Sequence, residues 1–300
     1  MSVPSPLISV ILPAFNSAPY LAQAIESILT QTISDFELLI IYDESSDHTL
    51  DIIREYTLKD QRVQCLMGQK ARLVGALNQG IATSKGQFIA RMDADDISLP
   101  TRFERQLHLI QEKQLDFCGC NMVMMNSAGV RLQEIVMPST PDLITVTLAC
   151  TVPFAHGSVI MRKAFLDEHD LLYRKGASAE DYDFWCEAYR LGARFGNADQ
   201  SLFHYRHFPQ SLSKVHAKVV KHHTQALRRN FVSKNVQAIQ AAISRLLPIQ
   251  QQLSVRDEGF LILTAYLLWQ KTKSDELFEV LKAARLKNVA IALAKIARGF

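Results

Sequence analysis

The first 100 residues alternate between continuous apolar runs and stretches whose apolar residues recur every three or four positions. The runs are residues 7–12, 36–41, 63–67 and 88–92, which are apolar apart from single residues such as Glu37, Gln64 and Arg91, and the stretches between them are residues 20–30, 50–56 and 73–83. Continuous apolar runs are typical of strands covered on both faces, and strand–helix alternation with short connections builds right-handed units on a parallel sheet. The pattern predicts an α/β domain whose mostly parallel, Rossmann-like sheet is flanked by helices.

The pattern changes in the rest of the chain. Two more strands and a helix that begins on acids are predicted at residues 116–125, 158–161 and 179–191. Beyond residue 215 only helices are predicted, at residues 216–247, 257–270 and 274–297. We therefore expect two domains, an α/β domain over residues 1–213 and an all-helical C-terminal extension over residues 214–300.

Charge separates the same two regions. The formal net charge of +3 divides into −7 for residues 1–213 (18 basic, 25 acidic) and +10 for residues 214–300 (15 basic, 5 acidic). The small total predicts no nucleic-acid partner. The basic extension has two interpretations that stay open: an amphipathic helix drawn to an anionic membrane surface, or a helical subdomain that packs on the first domain or pairs two chains in a homodimer.

Cysteines and apolar runs bear on the compartment. Five cysteines are an odd number, in a chain long enough to fold without disulfides, and they predict free thiols in a reducing environment. No apolar run reaches the roughly 20 residues needed to span a bilayer, and no basic residue precedes the first run as in a signal peptide. We expect a cytoplasmic protein, either free or peripheral at the inner face of the membrane.

Acidic residues follow two of the predicted strands. Asp43 comes after the second strand, and Asp93, Asp95 and Asp96 come after the fourth. The carboxyl ends of parallel strands meet at one edge of the sheet, so these acids and residues 13–16 are expected to face one crevice. Carboxylates suit Mg²⁺ or Mn²⁺, which in turn hold nucleotide phosphates. The alternative is a solvated turn whose acid caps the next helix.

Four segments, in this order, resemble the family 2 glycosyltransferases of the GT-A fold. They read Ile-Ser-Val-Ile-Leu-Pro-Ala-Phe-Asn at 8–16, Phe-Glu-Leu-Leu-Ile-Ile-Tyr-Asp-Glu-Ser-Ser-Asp at 36–47, Leu-Asn-Gln-Gly-Ile at 77–81 and Gly-Gln-Phe-Ile-Ala-Arg-Met-Asp-Ala-Asp-Asp at 86–96. The resemblance extends over residues 6–213. It implies a nucleotide-sugar donor, a divalent metal (Mn²⁺ or Mg²⁺) at a DxD-type motif, and transfer with inversion at the anomeric carbon.

The resemblance also implies roles for donor-side residues. Asp43 would bind the base, Asp93 would face the ribose and the donor, and Asp95 would reach the metal together with Asp93. Further donor contacts would come from Pro13, Ala14, Phe15, Asn16 and Ala94. The second segment departs from the family at Tyr42 and Glu44, where the family often has an acid and a Gly or Asn.

A later segment resembles the family's Glu-Asp segment at the head of a helix. It reads Ser-Ala-Glu-Asp-Tyr-Asp-Phe-Trp at residues 178–185. The resemblance implies Asp181 as the general base that deprotonates the acceptor hydroxyl, with Glu180 as the second choice. The alternative is that these acids only complement the positive end of the helix dipole.

Two more segments bear on the acceptor and the diphosphate. Residues 154–159 resemble a loop of the family, in which His156 would contact the acceptor or the diphosphate. Residues 205–213 resemble another, in which Arg206 would make such a contact, although Phe208 stands where the family has a histidine.

Together these segments imply an inverting hexosyltransferase that moves a sugar from a UDP sugar to a hydroxyl of a glycan or lipid-linked glycan, in bacterial surface polysaccharide synthesis. Two other functions stay open: a nucleotide-sugar-binding or scaffold protein without turnover, and a sugar nucleotidyltransferase. A nucleotidyltransferase is expected to carry a Gly-rich basic loop after the first strand, and residues 13–16 contain neither Gly nor Lys. The choice of sugar and acceptor is expected to depend on loops such as residues 129–151.

Overall fold

A computed structural model describes residues 5–69, 72–177, 179–208, 217–272 and 280. Its first half is built from β1 (Ile8–Ala14), α1 (Leu21–Leu29), β2 (Phe36–Tyr42), α2 (Thr49–Lys59), β3 (Val63–Met67), α3 (Arg72–Thr83) and β4 (Phe88–Arg91). The four strands are parallel neighbours in the order β3-β2-β1-β4. All seven residues of β2 are buried, as expected for a strand covered on both faces. The predicted alternation is confirmed.

The second half adds β5 (Ile97–Ser98), α4 (Arg102–Lys113), β6 (Phe117–Met125), β7 (Arg131–Ile135), α5 (Pro141–Leu148), β8 (Ile160–Arg162), α6 (Lys163–Glu168), α7 (Glu180–Arg190) and β9 (Phe195–Arg206). The sheet continues beyond β4 in the order β8-β6-β9-β5, with β7 beside β6. In this half β6 and β9 are parallel, whereas β4–β8, β8–β6, β6–β7 and β9–β5 are antiparallel. The sheet is therefore mixed, with its all-parallel part in the first half.

Two regions differ from the expectations. The long strand β9 was not predicted, because polar residues at 199–201 interrupt its apolar pattern where its register with β6 shifts. Residues 129–151, expected to be a loop, contain β7 and α5. Four of the five residues of β7 are exposed, so the strand has no apolar pattern to reveal it.

A buried core lies between the sheet and the helices that cover it, and both halves contribute to it. Val10 and Leu38 of the strands, Ile25 of α1 and Phe103 of α4 belong to one buried cluster. The five cysteines all lie within the described residues, and all are free thiols, as predicted.

Contacts between Cα atoms divide the chain into two units. The first comprises Met1–Met137 and Phe154–Val215, and the second comprises Pro138–Pro153 and His216–Phe300. This division differs from a single boundary after residue 213, because it groups Pro138–Pro153 with the C-terminal helices.

The second unit contains α5 and three later helices, α8 (Ala217–Lys234), α9 (Val236–Leu246) and α10 (Val255–Thr272). Arg245 donates to both carboxylate oxygens of Asp142, at 2.7 and 2.9 Å, and Thr264 donates to the Val146 carbonyl at 3.2 Å. None of the described helices is long and apolar enough to cross a membrane. The helix predicted at residues 274–297 lies outside the described residues, apart from residue 280.

Candidate active site

The loops that follow β1 and β2 are joined by hydrogen bonds between side chains and backbone. The Asn16 N–H donates to Ser45 Oγ at 3.0 Å, and Asn16 Oδ1 accepts from the Ser46 N–H at 2.9 Å. Asp47 Oδ2 accepts from the Ala18 N–H at 3.0 Å. Asn16 has a positive φ of 47°, a conformation that Asn adopts more readily than most residues. The two predicted donor loops therefore lie side by side at the carboxyl edge.

Asp43 presents a buried acceptor at this edge. Its Oδ1 has no hydrogen-bond partner among the described residues. Gly68 lies so close that a Cβ there would overlap this oxygen and stand 3.0 Å from the Tyr42 carbonyl oxygen. A buried acceptor without a partner is costly, and the role of Asp43 in binding the base stays a prediction. The other predicted donor residues here are a half-buried Pro13, a buried Ala14, and exposed Phe15 and Asn16.

The acidic segment after β4 is largely enclosed. The Arg91 guanidinium, 2% exposed, forms an ion pair with Asp93. Burial, followed by the charge of Asp93, raises the pKa of Asp95 to about 6. Asp96 is buried, and its Oδ2 has no partner among the described residues. Gly157 lies against the segment, since a Cβ there would stand 2.8 Å from Asp93 Oδ2. These acids do not form a solvated turn.

Arg206 supports this segment from within the fold. Its backbone N–H donates to Asp96 Oδ1 at 2.7 Å. Its guanidinium donates to the carbonyl oxygens of Asp95 at 2.7 Å and Ser127 at 3.1 Å, and to Gln23 Oε1 at 2.7 Å. These bonds give Arg206 a positioning role, and the contact with acceptor or diphosphate stays a prediction.

The donor set after β4 fits a divalent cation. Asp93 and Asp95 flank the buried Ala94 and offer hard carboxylate oxygens. Burial, followed by the charge of Asp93, raises the pKa of Asp95, and a bound cation would favour its ionised form. Among the described residues, no three or more His, Cys, Asp or Glu side chains are grouped as a ligand set. A cation here would therefore take one or two protein carboxylates and complete its shell with water and donor phosphates.

The first turn of α7 holds acids in different environments. Asp183 is buried, and Arg174 donates to its two oxygens at 2.5 and 2.6 Å. Asp181 is half-buried and accepts from the Tyr182 N–H at 2.7 Å. Burial, followed by the charge of Glu180, raises the pKa of Asp181 to about 6. Burial therefore outweighs the lowering of this pKa that the helix dipole would cause, and the role of Asp181 as general base stays a prediction.

His156 bonds to a residue that the sequence analysis missed, Tyr173. The His156 Nε2 and the Tyr173 hydroxyl are 2.8 Å apart. Burial, and then the charge of Arg91, hold the pKa of His156 well below its usual value, so the imidazole is neutral. A single aromatic residue between two predicted elements is too common a feature to mark Tyr173 from the sequence.

Electrostatic effects link the acids after β4 to those on α7. Burial is the largest cause of the raised pKa of Asp95, Asp181 and Tyr173. The Arg91 charge opposes the rise at both aspartates, and the charges of Asp181 and Asp93 add to the rise at Tyr173. Arg91, also missed by the sequence analysis, is thus the shared cation of this neighbourhood. Asp43 follows β2 at the same edge of the sheet, and β1 separates β2 from β4, the strand that the other acids follow.

A parallel half-sheet with carboxylates at its carboxyl edge defines the class of α/β proteins that bind nucleotides there. Residues 9–170, more than half of the chain, match the family model described as glycosyl transferase family 2. The chain therefore belongs to the family 2 glycosyltransferases, and the sugar nucleotidyltransferase alternative is set aside.

Individual proteins agree with this assignment. The chain is 32% identical over 212 residues to the O-antigen biosynthesis glycosyltransferase WbnJ of Escherichia coli, covering 69% of this chain and 82% of WbnJ. It resembles the structure of Staphylococcus aureus TarS in complex with UDP, with a TM-score of 0.59 and 20% identity, over 98% of this chain and 92% of the TarS chain. It also resembles the mannosyltransferase PcManGT of Pyrobaculum calidifontis in complex with GDP-Man and Mn²⁺, with a TM-score of 0.59 and 14% identity, over 98% of this chain and 80% of the PcManGT chain. The predicted GT-A fold is confirmed.

Proposed function

We propose that this chain transfers a sugar, with inversion, from a UDP sugar to a hydroxyl of a glycan or lipid-linked glycan acceptor in bacterial surface polysaccharide synthesis. The observation that carries the proposal is the pairing of donor-side acids, Asp93 and Asp95, with the half-buried base candidate Asp181 in one electrostatic neighbourhood. The resemblance to WbnJ, an O-antigen biosynthesis glycosyltransferase, supports the acceptor class, and the UDP bound to TarS supports the donor class.

In this proposal the donor lies along the carboxyl edge of the parallel strands. Asp43 accepts a hydrogen bond from the base through its unpartnered Oδ1, and Asp93 faces the ribose. The donor is also lined by Pro13, Ala14, Phe15, Asn16 and Ala94. The joined loops after β1 and β2 orient the donor before reaction, which is how positioned groups lower a barrier.

Asp95, together with Asp93, would hold Mn²⁺ or Mg²⁺. The Mn²⁺ in the PcManGT complex supports a divalent metal. When bound, such a cation stabilises the negative charge that develops on a leaving diphosphate. Arg91 holds Asp93 in place through their ion pair, and Arg206 holds the backbone at Asp95.

Asp181 is the proposed general base. It accepts the proton of the acceptor hydroxyl while that oxygen forms a bond to the anomeric carbon. The bond from the anomeric carbon to the diphosphate breaks, and its electron pair leaves with the diphosphate. Attack from the side opposite the leaving group inverts the anomeric carbon. The second choice for the base is Glu180, which lies beside Asp181 on α7.

A donor-hydrolysis screen tests the proposal. Nucleotide sugars of the UDP, GDP and other classes would be incubated with the full chain and Mn²⁺, Mg²⁺ or a chelator, and free sugar would be measured. We expect metal-dependent hydrolysis of a UDP sugar that Asp181→Asn abolishes. Tight donor binding with no hydrolysis or transfer would favour the binding or scaffold protein instead.

The basic extension is proposed to bring the enzyme to a lipid-linked acceptor at the inner membrane face, or to pair two chains. The net +10 of residues 214–300 supports attraction to anionic lipid. Co-sedimentation with vesicles of neutral or anionic lipid separates the two roles, since the membrane role requires binding to anionic vesicles at low salt.

A further inference from the structure

Tyr173 is buried in the site, yet it has no part in the proposed chemistry. Its side chain is 2% exposed, and three separate segments of the chain hold it. We propose that Tyr173 is a positioning residue that fixes Asp181 relative to the donor-side acids. The inference rests on the proposed function, because it assigns Tyr173 to the base of that reaction.

The first attachment of Tyr173 is to the helix that carries the base. Its ring stacks on Phe184 with the centroids 4.1 Å apart and the planes 11° apart. Phe184 follows Asp181 by three residues on α7, which is nearly one helical turn. A displaced Tyr173 ring would therefore move the first turn of α7, and the Asp181 carboxylate with it.

The second attachment is to α3, which packs on the parallel sheet. Asn78 Nδ2 donates to the Tyr173 carbonyl at 2.8 Å, and the Tyr173 N–H donates to Asn78 Oδ1 at 2.9 Å. Two residues further on, Gly80 lets α3 approach the sheet, since a Cβ there would overlap the side chain of Ile11 on β1. The ring is thus positioned relative to the sheet that carries the donor loops.

The third attachment is to the loop beside the acids after β4. The Tyr173 hydroxyl bonds to His156, and the next residue, Gly157, lies against Asp93. Both partners of the bond are neutral, so it fixes position without placing a new charge between Asp93 and Asp181. Tyr173 therefore connects the two sides of the site through a single rigid ring.

Two substitutions separate the parts of this role. Tyr173→Leu removes the stacking and the hydroxyl, and Tyr173→Phe removes only the hydroxyl. Since misplacing a reacting group by about 1 Å can cost about 10²-fold, we expect turnover to fall about 10²-fold for Tyr173→Leu and about tenfold for Tyr173→Phe. The affinity for UDP with Mn²⁺, measured by calorimetry, should stay within about twofold, because Asp43 is unchanged and Arg91 and Arg206 still hold Asp93 and the Asp95 backbone. Asn78→Ala should give the same split between turnover and affinity.

Tyr189 provides the matched control. It lies near the other end of α7, where its ring stacks on Phe195 with the centroids 6.3 Å apart. Tyr189→Leu and Tyr189→Phe should leave turnover unchanged if α7 needs aromatic support only at the end that carries Asp181.

The outcomes are distinguishable. Unchanged turnover in both Tyr173 variants, or a loss of UDP affinity equal to the loss of turnover, would overturn the positioning role while leaving the proposed function in place. If Tyr173→Leu fails to fold, Tyr173→Phe, which keeps the ring, decides the matter. No turnover by the unsubstituted chain with any nucleotide sugar would overturn the proposed function, and this inference with it.

Discussion

The donor side and the acceptor side of the candidate active site are held together in different ways. On the donor side, loops that follow neighbouring parallel strands are tied by short hydrogen bonds, such as Asn16 to Ser45. On the acceptor side, His156, Tyr173 and Asp181 come from three segments that aromatic packing brings together. The donor side is therefore held by hydrogen bonds between the loops that follow the strands, whereas the acceptor side is held largely by aromatic packing.

The two sides also differ in how their acids are stabilised. Asp93 has the buried Arg91 as its ion-pair partner. Asp181 is bonded to a backbone N–H, and burial raises its pKa. The contrast holds for Asp93 and Asp181 but not for Asp95, whose pKa burial also raises to about 6. A raised pKa suits proton transfer at Asp181, whereas at Asp95 a bound cation would favour the ionised form. Substitutions on either side should accordingly affect different steps.

The largest expected effect is on the donor side alone. Asp95→Ala should abolish metal-dependent donor binding, because it removes one of the two carboxylates proposed to hold the cation. Calorimetry with UDP in the presence and absence of Mn²⁺ measures the effect. The control is Asp167→Ala, which removes an acid paired with Lys163 on α6 and should bind UDP with the same metal dependence as the unsubstituted chain. If Asp95→Ala keeps the metal dependence, the cation lies elsewhere.

The next effect is on the acceptor side alone. Asp181→Asn should lower turnover by about 10² or more while UDP affinity is kept, since loss of a general base removes the proton transfer only. Rates of donor hydrolysis and calorimetry on the same preparation check this. Asp183→Asn is not a suitable control, because Asp183 is the buried partner of Arg174. Normal turnover in Asp181→Asn would remove Asp181 from the role.

Gly68→Ala should give a smaller, purely donor-side effect. The added Cβ would overlap Asp43 Oδ1 and displace the carboxylate proposed to bind the base. We expect UDP affinity to fall about tenfold, the cost of about one hydrogen bond to a charged group, with turnover at saturating donor unchanged. Gly259→Ala on α10, where a Cβ would meet no atom within 4 Å, is the matched control. If Gly68→Ala and the control bind UDP with equal affinity, Asp43 does not bind the base.

The smallest effect is a shift in pH dependence. Asp181 must be ionised to accept a proton, so turnover should rise with pH through about 6, the pKa of this group. Glu180→Gln removes a negative charge that raises this pKa, so the rising limb should move to lower pH, on the order of half a pH unit. Burial, the larger cause, remains. The control is Glu187→Gln, near the other end of α7, which should leave the rising limb of the pH profile in place. A shift of this limb to higher pH in Glu180→Gln would contradict the assignment of Asp181 as base.

The sequence was most informative where chemistry and local structure share one segment. The strands up to β4 and the acids that follow them were all predicted, because apolar runs and their polar ends are adjacent in the chain. The predicted helix at residues 179–191 is also confirmed, as α7, apart from its terminal residues.

Features that depend on packing between distant segments could not be predicted. Tyr173 gains its place from Asn78, which lies 95 residues before it, and from Phe184 on α7. Strand β9 is defined by its pairing with β6 rather than by its own apolar pattern. Arg206 was chosen for a ligand contact from a motif, and only the fold reveals its bonds to the Asp95 and Ser127 carbonyls.

The anomeric configuration of the first sugar released is the most direct test of the central claim. With water in place of the acceptor, early time points of donor hydrolysis can be followed by NMR before the free sugar equilibrates. If Asp181 activates the attacking oxygen on the side opposite the diphosphate, the first sugar released has the configuration opposite to that of the donor. A first product that keeps the donor's configuration would contradict a single displacement assisted by Asp181.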